Sequence, residues 1–204
     1  MTPEQAMQVI EFHKDLNFFE ALALAKKQGK ILVPNYVLDR ILMETKAEST
    51  GWTGTCVIYE APDKPFGEKV VFGWKDDDEV QNLVRFAVPE QFRGKTNCAL
   101  IVEHPDFEIV EVGKGTFELK ADEGTIALIE KFPKQSAKLY EFDERYLIPV
   151  GEPKRESKLR RRLIRNDAEY VGPVARDFGD YDYNGRQYVG LDERPSLGYG
   201  VAVF

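Results

Sequence analysis

Apolar positions along this chain follow two periods in turn, helical over the first 46 residues and alternating from Trp52 onward. Thr2-Pro3-Glu4-Gln5 reads as a helix start, because proline in the first turn gives up an N–H that has no helical partner there. Ala6, Val9 and Ile10 then recur at helical spacing. A second helix is predicted from Asn17, as N-cap, through FFEALALAKKQ to Gly29 as the stop. Phe18, Leu22 and Ala25 form its apolar stripe, and Lys26 and Lys27 occupy the last turn, where the helix dipole favours cations. Residues 30–33 fit either a short strand or an extended linker. Pro34 opens NYVLDRILMETK, with Val37, Leu38, Ile41 and Leu42 on one face and Asp39, Arg40 and Glu44 on the other. Such a helix must dock on apolar surface.

From Trp52 the period is two. Residues 53–60, 68–75, 80–88, 97–103, 107–112, 116–120, 125–131 and 138–142 are short runs rich in Val, Ile, Tyr, Phe and Thr, separated by turn-forming stretches such as APDKPFGE, KDDDE and PEQFRGKTN. FELKADEGTIALIE reads as a hairpin with one wet face, and ALIV, apolar on both sides, as a central strand. Further strands are predicted at 170–176 and 187–191. The alternation of Val201, Val203 and Phe204 places the last segment inside a sheet. The expected fold is α+β: N-terminal helices packed on an antiparallel β-sandwich or barrel, with a basic helix before the last strands. The expected organisation is a helical element over 1–46, a β core over 47–150, and a basic helix with returning strands over 151–204, together forming one domain.

Charge changes this picture at one place. The chain has 28 Lys+Arg and 35 Asp+Glu, net −7, yet KRESKLRRRLIR at 154–165 carries seven basic residues and one acid. The remainder, with 21 basic and 34 acidic residues, is therefore net −13. Leu159 and Leu163, four apart, predict a helix with buried leucines and exposed arginines. Its arginines could pair with the acidic body, bind an anionic ligand or dock an acidic protein. Nucleic acid is disfavoured, because the basic residues lack interleaved aromatics and the rest of the protein repels phosphate.

The segment DYDYNGRQY has Asp180, Asp182, Asn184 and Gly185 in the order that opens a calcium loop. Its twelfth position is Leu191 where a bidentate glutamate is required, so a hairpin turn without metal is expected. Five of the nine tyrosines, Tyr170, Tyr181, Tyr183, Tyr188 and Tyr199, fall in the final 35 residues, a composition shared by recognition loops and strand ends. Cys98 and His104 could suggest a thiol–imidazole pair, but Cys98 shares a strand face with Leu100 and Val102 and is expected in the core. Neither a zinc site nor a Cys56–Cys98 disulfide is expected. No phosphate loop, G-x-S-x-G elbow or H-E-x-x-H is present.

The opening MTPEQAMQVIEFHKD lacks the charged and apolar regions of a signal peptide, and no apolar run approaches the roughly 18–20 residues of a membrane span. A cytoplasmic, non-catalytic binding or accessory protein is the favoured reading, without a cofactor or metal. Arg155, Arg160, Arg161, Arg162 and Arg165 would meet its partner together with Tyr181, Tyr183 and Tyr188. A hydrolase with dispersed carboxylates in a sheet cleft and a structural subunit of an oligomer are the alternatives.

Overall fold

The computed structural model describes residues 8–45, 49–76, 78–136, 140–153, 161–165, 168–178, 187–191, 194–195 and 199–204, and among them it has fourteen β-strands, two full α-helices and a short 3-10 helix (Glu90–Phe92). Helix α1 (Phe18–Gln28) has the ends the sequence predicts. The Asn17 side chain accepts from Glu20 N at 2.9 Å and the Glu20 carboxylate accepts from Asn17 N at 2.8 Å, so two otherwise orphan donors are satisfied. Gly29 stops the helix in the left-handed conformation, φ 64°. Helix α2 (Asn35–Thr45) follows Pro34 and buries Leu38 and Ile41 as expected. Asp39 is also buried, so α2 is enclosed beyond its apolar stripe.

The larger sheet has eight strands. Its path runs β1 (Glu11–Leu16), β14 (Tyr199–Val203), β2 (Ser49–Tyr59), β12 (Tyr170–Phe178), β13 (Gln187–Leu191) and β11 (Arg161–Arg165), while β5 (Ala99–Glu103) joins β2 to β8 (Ala127–Ile129). The smaller sheet has the order β3 (Lys69–Lys75), β4 (Gln81–Ala87), β7 (Thr116–Ala121), β6 (Phe107–Gly113). A short ribbon pairs β9 (Glu141–Phe142) with β10 (Pro149–Val150). No closed barrel forms among the described residues. Most pairings are antiparallel, but β4–β7, β14–β2 and β11–β13 are parallel.

Aromatic side chains join the two sheets. Phe72 of β3 lies 4.8 Å from Tyr170 of β12, ring to ring. Helix α1 spans the same junction: Phe18 packs on Trp52 of β2 and Phe107 of β6, and Phe19 stacks on Phe117 of β7 at 4.3 Å. This double anchorage holds α1 beside β6.

Three expectations are corrected. The chain from Glu11 to Leu16 is a strand rather than a continuation of helix, because β14 offers it a full antiparallel edge; a positive φ at Asp15 and a register shift accommodate the turn into Asn17. Arg161–Arg165 is a strand, paired in parallel with β13, rather than the end of a basic helix. β-Branched Ile164 suits a strand, and the edge of β13 offers this segment a five-residue ladder. Finally, β7 and β8 do not form a hairpin. The turn at 122–125 carries the chain from the smaller sheet to the larger, since Leu119 is buried against β6 and β4 while Ile129 is buried beside β5. ALIV does form a buried strand with partners on both sides, and β14 lies between β1 and β2.

Candidate binding surfaces

An open groove of about 740 Å³ runs between α1 and β6. One wall is the helix face bearing Phe19, Leu22, Ala23 and Lys26, spaced as neighbours on one side of a helix. The other wall comprises Glu108, Ile109, Val110 and Glu111. Successive residues of a strand point to opposite faces, so a wall that includes all four is the backbone edge of β6 itself. Phe107 and Phe117 also line the groove. Helix and strand run in opposite senses: Phe19 stacks on Phe117, the neighbour of Glu111 across the β6–β7 ladder, while Leu32, just beyond the helix, bonds His104 at the start of β6.

On the strand face that meets α1, the groove has Lys26 toward one end and Glu111 at the other; Glu108 lies on the opposite face of β6, across from Lys120. Lys26 and Lys30 lie near His104 and Pro105, and Glu111 lies at the far end. The Lys30 ammonium pairs with Glu11, and its hydrogen bond and charge hold that carboxyl below the usual range. Glu111 Oε1 accepts from Gly115 N at 3.4 Å.

His104 closes the basic end. Its Nδ1 accepts from Leu32 N at 3.2 Å and its ring meets Phe107 edge-on. Burial lowers its pKa, opposed by the charge of Asp106. Because the folded pKa lies below the unfolded value, the unfolded chain binds the extra proton first. The contribution of neutral His104 is therefore full above about pH 6.5, the unfolded value, and is lost as pH falls from there through the lower folded pKa. His104→Asn keeps an acceptor for Leu32 without a titrating ring. Denaturant unfolding is expected to show a shallower loss of stability between pH 7 and 5 in this variant than in the parent; identical slopes would assign the dependence to other groups.

A second groove, about 490 Å³, lies against the smaller sheet and mixes Lys69, Arg85 and Lys120 with Glu118 and Glu123. Its charges do not sort into one sign.

Below α2, polar side chains form a chain of hydrogen bonds. Asn35 N donates to Thr55 Oγ1 (2.9 Å), Asn35 Nδ2 donates to Tyr146 O (2.8 Å), and Thr55 Oγ1 donates to Glu103 Oε1 (3.2 Å). Burial raises the Glu103 pKa, while the Thr55 bond and Arg145 lower it and Asp106 raises it. A carboxyl in this state resembles a general acid. Glu103, however, lines neither groove, and its bonded partners tie β2, β5, α2 and the 143–147 turn together. Asn35→Ala keeps the backbone bond to Thr55 but removes the Nδ2 bonds to Tyr146 O and Leu147 O, and a loss of about 1–3 kcal/mol in denaturant unfolding is expected. The sequence signal for this node was Thr53 and Thr55, two hydroxyls on one face of an otherwise apolar strand.

Of the residues singled out from sequence, Arg161, Arg162 and Arg165 lie on β11, at one end of the larger sheet's path, with Tyr188 on neighbouring β13. The register places Arg162 opposite Tyr188, Arg161 opposite Gln187 and Arg165 opposite Leu191. Arg155, Arg160, Tyr181, Tyr183, Leu159 and the 180–185 segment lie outside the described residues. Cys98 and His104 stand at opposite ends of β5, roughly 20 Å apart for six residues of strand, and cannot act as a pair. Cys56 lies opposite Val102, not Cys98, and both cysteines are free. The groove itself was missed because only one apolar stripe was assigned to α1. Phe18, Ala21 and Ala25 face the core, while Phe19 and Leu22 form a second apolar strip facing the groove.

Among the described residues no helix is long and apolar enough to cross a membrane, and no cluster of three or more His, Cys, Asp or Glu side chains could hold a metal. No protein-family model, curated protein or solved structure matches the chain.

Proposed function

We propose that this chain is a non-catalytic binding protein of the cytoplasm, and that it receives a protein partner in the groove between α1 and β6. The supporting observation is the pairing of an apolar helix face with a strand edge that no described strand covers, in one open groove. Unpaired edges invite added strands and are commonly covered or charged; here a helix stands beside the edge and leaves space between. Ala23→Arg tests this reading. Ala23 is exposed on the groove wall, and arginine is a good helix former, so the variant should fold normally while filling the groove. Displayed random peptides selected on the parent protein are expected to lose at least about tenfold in affinity for Ala23→Arg, with melting temperature unchanged. Failure to select any peptide, or equal binding to both proteins, rejects the groove as the contact surface.

A second surface is supported by the β11–β13 register, which sets Arg162 beside Tyr188 at the backbone level. It suits an anionic partner. The net −13 remainder opposes polyanions beyond the local contact, so binding of a fluorescent single-stranded oligonucleotide is expected to be weak near physiological salt. Tight binding with a steep dependence on salt would make nucleic acid the partner instead.

A further inference from the structure

We propose that the occupant of the α1–β6 groove is an extended peptide segment that adds to β6 as an antiparallel strand, with a basic side chain at its N-terminal end and an acidic one at its C-terminal end. The inference rests on the groove being a binding site and specifies what it binds.

The phase of the β6–β7 ladder supplies the first support. Asp122 N donates to Asp106 O at 3.1 Å, which makes Phe107 and Ala121 a non-hydrogen-bonded pair. The next pair, Glu108 with Lys120, is then hydrogen-bonded, and the alternation continues along the strand. Phe107 and Ile109 therefore direct their N–H and C=O groups away from β7. Among the described residues no strand pairs with β6 on that side. An added strand would satisfy these groups, and its alternate side chains would meet the Phe19 and Leu22 face of α1. A register shift between Glu111 and Gly113 ends the regular edge, so the paired part is about five residues long.

Charge gives the orientation. Lys26, with Lys30 paired to Glu11 beyond it, is beside the N-terminal end of β6 and Glu111 is at the C-terminal end, while Glu108 stands on the other strand face opposite Lys120. A segment running antiparallel to β6 brings its C-terminal end to the lysines and its N-terminal end to Glu111. Antiparallel pairing is also slightly the more stable per residue. A segment of opposite charge order must either run parallel or face like charges.

The test uses two peptides blocked at both ends, KVTVTVD and its charge-swapped form DVTVTVK, titrated into isotopically labelled full-length protein and followed by amide chemical shifts. KVTVTVD is expected to shift the amides of Leu22, Lys26, Ile109 and Glu111, and to bind about five- to tenfold more tightly than the swapped peptide. Lys26→Glu should shrink that difference. Two further versions of KVTVTVD carry N-methyl groups on alternate residues, one version in each phase. One phase should abolish binding and the other should leave it nearly intact, because only every second N–H of an added strand faces β6. Equal loss in both phases overturns strand addition. Equal affinity of the two charge orders overturns the orientation while leaving the groove as a binding site. If no peptide shifts any groove amide at millimolar concentration, the binding reading fails as well.

Discussion

Gly54→Ala is expected to lose about 3 kcal/mol or more of stability, the upper range for overpacking. A Cβ at Gly54 would lie 2.3 Å from the Leu32 carbonyl oxygen and 2.8 Å from its carbon, both backbone atoms. Neither strand can retreat cheaply. Gly54 N donates to Val33 O and Gly54 O accepts from His104 N, each at 2.7 Å, so β2 is held on both sides at this residue. Leu32 is fixed in turn through its bond to His104 and its bridge to Val203. Urea unfolding should show a lower midpoint with an unchanged slope, the sign of a stability change without a change in compactness. A loss below about 1 kcal/mol would mean that the 31–34 segment can move, and the basic end of the groove with it.

Phe18→Ala should cost about 3–5 kcal/mol, as truncation of a fully buried aromatic does. Phe18 has no exposed surface and touches both the larger sheet, at Trp52, and the smaller, at Phe107. For a chain near 200 residues this corresponds to a melting temperature lower by roughly 6–20 °C. Its consequence for function separates it from other core truncations. With Phe18 gone, α1 keeps, among the described residues, the Phe19 stack on Trp74 and Phe117 as its ring contact with the sheets, so the groove wall loosens. Peptide affinity should therefore fall even at temperatures where the variant is fully folded. Phe18→Leu, which leaves a smaller void, should lose less of both. A normal affinity in folded Phe18→Ala would show that α1 is positioned by its ends alone.

Local chemistry was legible wherever a short stretch of chain determined it. The Asn17 cap, the Glu20 return bond and the Gly29 stop are all within one helix, and their outcome follows from spacing alone. Most strands from β2 onward match the alternating runs, since period two with branched and aromatic residues is a local property. The basic segment shows the limit. Its charge was legible, but Leu159 and Leu163 pointed to a helix, while Arg161–Arg165 became a strand because β13 lay beside it.

The α+β class, the two helices after Asn17 and Pro34, the buried ALIV strand and the acidic composition with one basic reversal were thus all readable from residue order. Tertiary structure alone decided which strands pair, that the turn at 122–125 changes sheets, that Glu11–Leu16 completes the β14 edge, and that α1 stands off from β6 to leave a groove. The physical reason is the range of the interactions. Caps and side-chain periods are set by neighbours a few residues apart, whereas strand partners and grooves depend on which distant surfaces meet, and the alternation of β6 is the same whether its outer edge is paired or open.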